Sequence, residues 1–349
     1  MAVGSAFDAT YATLTELSHM IYQNTFPQPP PRFGKILRWK LKLGPREENQ
    51  SDLTGVTTEK WAAAAPDLKA IHEPNPEHIQ VTWIGHSTFL IQHRQRNILT
   101  DPIFGDCLTP VPGIRLRRAR PPGLTFNQLP PIHEVLISHN HYDHLDAPTV
   151  QRLAKLSAAT HFWLPSGLSA WFRQKQIPNV RELAWWQSST FAEETEIHAV
   201  PAQHFAARGP FDRNHTHWCG WVLCSGRRKV YFAGDTGYSS EFQDIGTRFG
   251  GMDVSLIPIG AYNPRWIMRS VHTDPAEAVQ IHQDVRSRFS LASHWGTFRL
   301  TDEPLNEPPV RLKQALAGQG IAEADFRALQ PGETVTVETA ADEPWPETT

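Results

Sequence analysis

A layered α/β sandwich is the fold class this sequence predicts, and three observations predict it. Short apolar runs of strand character recur from residue 78 to residue 338, in two groups. Helix-opening signatures fall between them, at Asp146-Ala147-Pro148 and Thr273-Asp274-Pro275. The 349 residues are 40% hydrophobic and 20% charged, which is apolar material enough for a sizeable core. Two groups of strands with interspersed helices bury their apolar faces by stacking in layers.

The elements follow in order. Residues 1–75 read as an N-terminal extension packing on the core, with a helix near 8–22. The cluster Pro27 to Pro31 favours an extended arm over a ligand for a proline-reading domain. The run Arg38-Trp39-Lys40-Leu41-Lys42 fits either an anionic lipid surface or a packed strand. Residues 78–102 read as three short strands with a tight turn at Gly85. A proline- and arginine-rich loop spans 108–131, and the strand Glu134-Val135-Leu136-Ile137 follows. Asp146 is placed to cap the next helix. Residues 161–200 give a strand, a helix at about 166–175, and two further strands. Strands are expected at Cys219 to Cys224, Lys229 to Phe232, 254–258 and 290–295, with a helix from Pro275 to about 286. A helix at 304–318 and a strand at 333–338 close a domain of residues 76–340. The acidic, proline-containing tail 341–349 reads as disordered.

Bulk properties exclude some functions. A net charge of −3 supplies no basic field for nucleic acid. Cys107, Cys219 and Cys224 make no disulfide framework and read as small buried hydrophobes. The start lacks a basic and then apolar signal pattern, and no apolar run approaches the roughly 18 residues of a spanning helix. A cytoplasmic protein is expected, at most peripheral at a membrane surface. The 12 tryptophans are expected in the core and in pocket walls.

The 17 histidines are the informative excess. Residues 138–146 read SHNHYDHLD, directly after an apolar strand. Packing asks for no such cluster, whereas zinc takes neutral imidazole nitrogen and carboxylate oxygen readily. In an extended segment His139 and His141 point to one side and can grip one ion. Asp143 and His144 follow where the chain turns, and a turn can aim both at a second ion. Three later strand ends offer completing ligands: His204 in VPAQHF, Asp235 in YFAGDTGY and His294 in LASHWGTF. Asp235 lies between Gly234 and Thr236-Gly237, so its backbone can approach closely and its carboxylate could bridge two ions.

With these residues in view, the chain resembles the metallo-β-lactamase superfamily, whose hallmark is H-x-H-x-D-H. WIGHSTFLI, LTDPIF, SHNHYDHLD, PAQHF, FAGDTGY, HTDPAEAV and SHWGTF resemble the branch containing N-acylphosphatidylethanolamine-hydrolysing phospholipase D and its bacterial relatives. The resemblance covers roughly residues 78–300 and implies a four-layer αββα sandwich with the metal site at one edge of two sheets. It implies that His139, His141 and His204 hold one zinc, that Asp143, His144 and His294 hold the other, and that Asp235 bridges. Iron or manganese would suit the same ligands. It also brings Tyr142, Arg208, Asp212, Asn214 and His272 near the substrate. Tyr142 and His272 are candidates for substrate or transition-state contact, with His272 the candidate proton donor. Arg208 is a candidate for phosphate contact or a structural ion pair. His86 and Asp101 are expected to fix loops rather than ligate, and His282 to lie on the exposed or packing side of its helix. Residues 1–75 do not match the lipid- and dimer-contacting region of the mammalian enzyme.

The implied reaction is phosphodiester cleavage of N-acyl phosphatidylethanolamine or a related phospholipid. Its nucleophile would be a zinc-bound hydroxide, the pKa of water falling from about 15.7 towards about 7. Two other readings stand beside it: a lactonase or small-ester or phosphodiester hydrolase, and a non-catalytic metal-binding module. A lipid enzyme should place basic residues at an apolar pocket mouth, for which Arg115, Arg117, Arg118, Arg120 and Trp39 are candidates. A membrane surface and an oligomer are compatible partners.

Overall fold

A computed structural model of the chain describes residues 21–26, 34, 38–39, 41–43, 63–111 and 114–338. The proline cluster, the acidic tail and most of the helix expected near 8–22 lie outside them. Arg38 and Trp39 are helical rather than extended, and Trp39 Nε1 donates to Asp302 Oδ2 at 2.6 Å.

The first helix, α1 (Leu68–His72), precedes a meander of β1 (Ile79–Gly85), β2 (Thr88–His93) and β3 (Arg96–Thr100). A hairpin of β4 (Cys107–Val111) and β5 (Ile114–Arg117) stands apart as its own two-stranded sheet. Next come β6 (Glu134–Leu136), α2 (Ala147–Leu156), β7 (His161–Pro165), α3 (Ser169–Gln174) and β8 (Val180–Leu183). The second half contains β9 (Ser188–Ala192), β10 (Thr195–Val200), β11 (Gly220–Ser225), β12 (Arg228–Phe232), α4 (Glu241–Phe249) and β13 (Met252–Pro258). It ends with α5 (Arg265–Met268), α6 (Pro275–Asp284), β14 (Ser287–Ser293), α7 (Glu307–Gln319), β15 (Phe326–Arg327) and β16 (Thr334–Val337).

Two seven-stranded sheets form, ordered β16-β1-β2-β3-β6-β7-β8 and β9-β10-β11-β12-β13-β14-β15. Both change from antiparallel to parallel pairing at their middle strand. In the first sheet the change comes after β3, and in the second after β12. The parallel halves require helical crossovers, and these supply the outer layers.

Strand periodicity sorts the core. Phe89, Ile91, Ile98, Leu136 and Trp163 face the second sheet, where Ile197, Trp221, Val230 and Phe232 join the same cluster. The intervening residues Leu90, Leu99, Val135, Ile137, Phe162 and Leu164 face outward under Val150 and Leu153 of α2 and Phe172 of α3. Helix α6 covers β13 and β14, with α4 and α7 packed beside it. The result is the four-layer sandwich of the expectation.

Three strands, β8, β9 and β10, follow α3 where two are expected, and the structure corrects three further element readings. The 108–131 loop contains the β4–β5 hairpin, because Leu108 packs with Ile103 and Phe298 and Pro110 sits in an isolated pair where a missing N–H costs little. Helix α4 went unread: it is short and interrupted by Gly246, where a β-carbon would collide with the Asp284 carbonyl of α6. The third reading is the helix set at 304–318, which begins at Glu307, with Pro308 and Pro309 in its first turn.

Candidate metal centre

The histidine motif begins where β6 ends, and Asp101 at the end of β3 fixes it there. Ser138 donates to Asp101 twice, N to Oδ1 at 2.7 Å and Oγ to Oδ2 at 2.6 Å. The chain then turns, with Leu145 N donating to His141 O at 2.8 Å. His86, His204, Asp235 and His294 follow the C-terminal ends of β1, β10, β12 and β14. Both sheets therefore deliver side chains to one edge. Three buried non-glycine residues here have left-handed backbone: His86 (φ 55°), Asp101 (φ 31°) and His294 (φ 58°). Such strain persists only where the surroundings impose it, and it clusters at working sites.

The imidazoles and carboxylates converge in four groups that overlap: two sets that share no residue, then Asp101 with His139 and His144, and His204 with Asp235 and His272. In the first, Nε2 of His139 and Nδ1 of His141 are 2.8 Å apart, and Nε2 of His204 is 3.3 Å from the same Nδ1. The second comprises His86, Asp143, His144 and His294. There, Asp143 Oδ2 is 3.1 Å from His86 Nε2, 3.4 Å from His294 Nε2 and 3.6 Å from His144 Nε2. Asp235 stands between the sets. Its Oδ2 lies 3.1 Å from Nε2 of both His144 and His294, and 3.8 Å from His204 Nε2.

A cation fits this donor set. His144 Nε2, His294 Nε2 and Asp235 Oδ1 are buried and make no hydrogen bond, although the first two sit within ion-pair distance of Asp235 Oδ2. Buried polar atoms are normally satisfied. Two of the rings have their opposite nitrogen committed: His144 Nδ1 donates to Asp101 Oδ2 at 2.6 Å, and His204 Nδ1 to Val271 O at 2.8 Å, whereas both nitrogens of His294 are without a hydrogen bond. That leaves the Nε2 lone pairs of His144 and His204 aimed at the centre.

Charge points the same way. Burial, then the neighbouring imidazoles, hold the His139 pKa well below its usual value, so its ring is neutral, the form a metal would take. Burial alone would raise Asp143 and Asp235, yet the adjacent histidines outweigh it and keep both carboxyls well below the usual range. Against burial, Asp235 and Asp143 lift His294 to about 9. Buried carboxylates that draw protons onto neighbouring imidazoles lack a positive charge, which a divalent ion would supply.

The sequence profile of the beta-lactamase superfamily domain matches residues 96–295. The chain belongs to the metallo-β-lactamase superfamily. Within that superfamily it is 38% identical, over 72% of its length and 74% of the relative's, to N-acyl-phosphatidylethanolamine-hydrolyzing phospholipase D 1 of Caenorhabditis elegans. It is 35% identical to the mitochondrial N-acyl-phosphatidylethanolamine-hydrolyzing phospholipase D of Saccharomyces cerevisiae, over 66% of this chain and half of the yeast protein. Among solved structures, Igni18, a metallo hydrolase of Ignicoccus hospitalis, superposes with a TM-score of 0.56 at 24% identity, over 75% of this chain and 99% of that one.

Around this metallo-β-lactamase centre the remaining candidates divide. His272 faces it: its ring is 5.1 Å from that of His204, and its Nδ1, 3.9 Å from Asp235 Oδ2, is buried without a hydrogen-bond partner. Tyr142 and Arg208 engage each other. The hydroxyl donates to Arg208 O at 2.9 Å, the guanidinium stacks 4.1 Å from the Tyr142 ring centre, and Nη1 donates to Asn140 O at 2.9 Å. Arg208 thus braces the motif loop by stacking and a carbonyl bond, not by the ion pair considered from sequence. Asp212 accepts from Arg208 N and Gly209 N, and Asn214 Oδ1 accepts from Ala206 N, so both close the 206–214 loop.

His86, expected to fix a loop, hydrogen-bonds Asp143. Trp83 and Trp295 stack 5.0 Å apart beside His86 and His294, as wall residues would. His282 is on the packing side of α6, bonded to Ser290 Oγ at 2.8 Å. Of the rim arginines, Arg115 and Arg117 are exposed, whereas Arg118 donates to Ile103 O and Gly105 O and Arg120 bonds Asn306. Sequence reasoning missed Asn24, whose side chain bonds the His204 backbone; a lone asparagine far upstream carries no pattern.

Proposed function

We propose that this chain is a two-metal phosphodiesterase of phospholipase D type, acting on N-acyl phosphatidylethanolamine or a related phospholipid. The observation that carries the reading is Asp235, whose one carboxylate oxygen reaches imidazoles of both ligand sets. The set His139, His141 and His204 would hold one ion, and Asp143, His144 and His294 the other, with Asp235 shared. Zinc suits these nitrogen and oxygen donors, and iron or manganese would compete for them. Two such ions, when bound, lower the pKa of a shared water and neutralise charge on phosphoryl oxygens. The relatives' names supply the substrate class.

This chain's own groups do the rest. Asp101, Ser138 and the Val271 carbonyl fix which nitrogen His144, His139 and His204 present. Burial, the largest influence on His272, holds its pKa well below the usual value, so it meets the substrate as a neutral imidazole. Its unpartnered nitrogen is placed to hydrogen-bond a phosphoryl oxygen; serving the departing alkoxide as acid would first require the ring to take up a proton, for instance from the attacking water. No helix among the described residues is long and apolar enough to cross a membrane. Phe211, 89% exposed on the loop beside the centre, and Ile21, 60% exposed, support contact with a lipid surface.

The test is mass-spectrometric. Zinc-loaded and metal-stripped protein are incubated with N-acyl phosphatidylethanolamine in mixed micelles. Metal-dependent release of phosphatidic acid and N-acylethanolamine is expected. A metal-loaded protein that releases neither would sink the lipid reading and favour a small soluble ester or phosphodiester.

A further inference from the structure

The metal centre is not built from the hydrolase domain alone. Residues 21–26, far upstream of β1, lie along the loop that carries His204. Tyr22 and Asn24 turn inward while Ile21, Gln23 and Thr25 are exposed, the alternation of an extended segment. Tyr22 N donates to Asn214 O at 2.9 Å, and the Tyr22 ring meets His217 edge-on at 4.5 Å. Gln203 Nε2 donates to Phe26 O at 3.0 Å.

Between these anchors, Asn24 grips the His204 peptide from both sides. Its Nδ2 donates to His204 O at 2.9 Å, and His204 N donates to its Oδ1 at 3.1 Å. Trp218 Nε1 shares that oxygen at 3.1 Å. His204 lies beyond β10, outside any sheet ladder, so its buried N–H and C=O need partners from elsewhere. A side-chain amide imitates a peptide and satisfies both at once. The Val271 carbonyl fixes the same residue's ring through Nδ1. Backbone and ring together leave Nε2 no direction but towards His139 and His141.

We infer that Asn24 is a positioning residue for the three-histidine set, and that residues 21–26 complete the metal centre. The inference rests on the reading of His139, His141 and His204 as ligands of one ion. Partners standing behind a ligand change metal affinity by about 10- to 100-fold when removed.

The test uses the full chain with zinc as the probe, titrated against a chromophoric chelator, beside thermal unfolding of the metal-free protein. Asn24→Ala is expected to lower the affinity of one zinc equivalent by about tenfold or more and to leave the other equivalent unchanged, beside a modest fall in the metal-free midpoint from the His204 peptide groups it unpairs. Asn24→Asp keeps the two accepted bonds and should fall between. Wild-type affinity in Asn24→Ala would overturn the inference. So would a loss shared by all equivalents and matched by a lower metal-free midpoint, which would make the residue merely structural. Should the alanine variant not fold, Asn24→Asp decides, and unchanged affinity there overturns the proposal. The number of equivalents held by the wild type tests the two-set reading separately.

Discussion

Asp101 directly follows β3, and its carboxylate receives three hydrogen bonds, from Ser138 N, Ser138 Oγ and His144 Nδ1. Ser138 Oγ in turn lies 2.9 Å from His139 Nδ1. One carboxylate thus orients an imidazole from each ligand set. Asp101→Asn keeps the volume but replaces an acceptor with a donor facing His144. We expect zinc affinity to drop by about 10- to 100-fold, read by chelator competition, with little change in circular dichroism. Removing a ligand is harsher: His139→Ala or Asp235→Asn should abolish turnover while the fold survives, and normal turnover in either purified variant would refute the assignment. His272 also converges with His204 and Asp235; His272→Asn should lower kcat with metal content intact, and loss of metal instead would make its role structural. At this scale the motif was legible because packing never requires four metal-capable side chains in six positions. Asn24, the Ser138 bridge and the stacking role of Arg208 were not, because bonds to backbone groups and ring faces select no sequence spacing.

At the scale of elements, the strand ends were legible from apolar runs, and the departures are those of weak pattern. Helix α4 has no side-chain cap at Ser240, and the β4–β5 hairpin hides among prolines. Gly234, between β12 and Asp235, shows what such an end requires. Its φ is +63°, and a β-carbon there would lie 2.7 Å from Ser138 Cβ on the motif strand. Gly234→Ala should therefore destabilise by on the order of 2 kcal/mol in thermal or urea unfolding, since both the backbone and the neighbour object. At the opposite end of β6, Glu134 is 1% exposed and accepts from Trp163 Nε1 at 2.8 Å. Burial lifts its carboxyl from 4.5 to about 7, against the opposing pull of Trp163 and Arg96. An acid whose folded pKa is raised stabilises the fold fully below its unfolded pKa, and loses that contribution as pH rises through about 7. Glu134→Gln keeps the indole's acceptor and removes the titration. Its unfolding midpoint relative to wild type should rise between about pH 5 and about pH 8. A difference that stays flat across that window would mean the carboxylate is solvated in the folded protein.

On the scale of the whole molecule, the two sheets share an apolar interface and, at one edge, the candidate ligands, drawn from both. The 139–144 motif comes from the first sheet; His204, Asp235 and His294 come from the second. Any ion bound there joins the halves of the sandwich, and the unfolded chain offers no such arrangement. Binding to the folded state alone stabilises it by about 2.7 kcal/mol when free metal is 100 times its dissociation constant. Without a cation, Asp143 and Asp235 must be neutralised by protons on the surrounding imidazoles, a poorer solution as pH rises. We therefore expect chelation to lower the unfolding midpoint, restored zinc to recover it in a concentration-dependent way, and the loss to widen from mildly acidic to alkaline pH. Repeating the titration with manganese and ferrous iron should rank the metals by midpoint, since each stabilises in proportion to its affinity for the same ligands. An unchanged midpoint after verified metal removal would mean that the apolar interface alone holds the sheets in register. The convergence of the seven side chains would then be a property of the fold that metal exploits without strengthening.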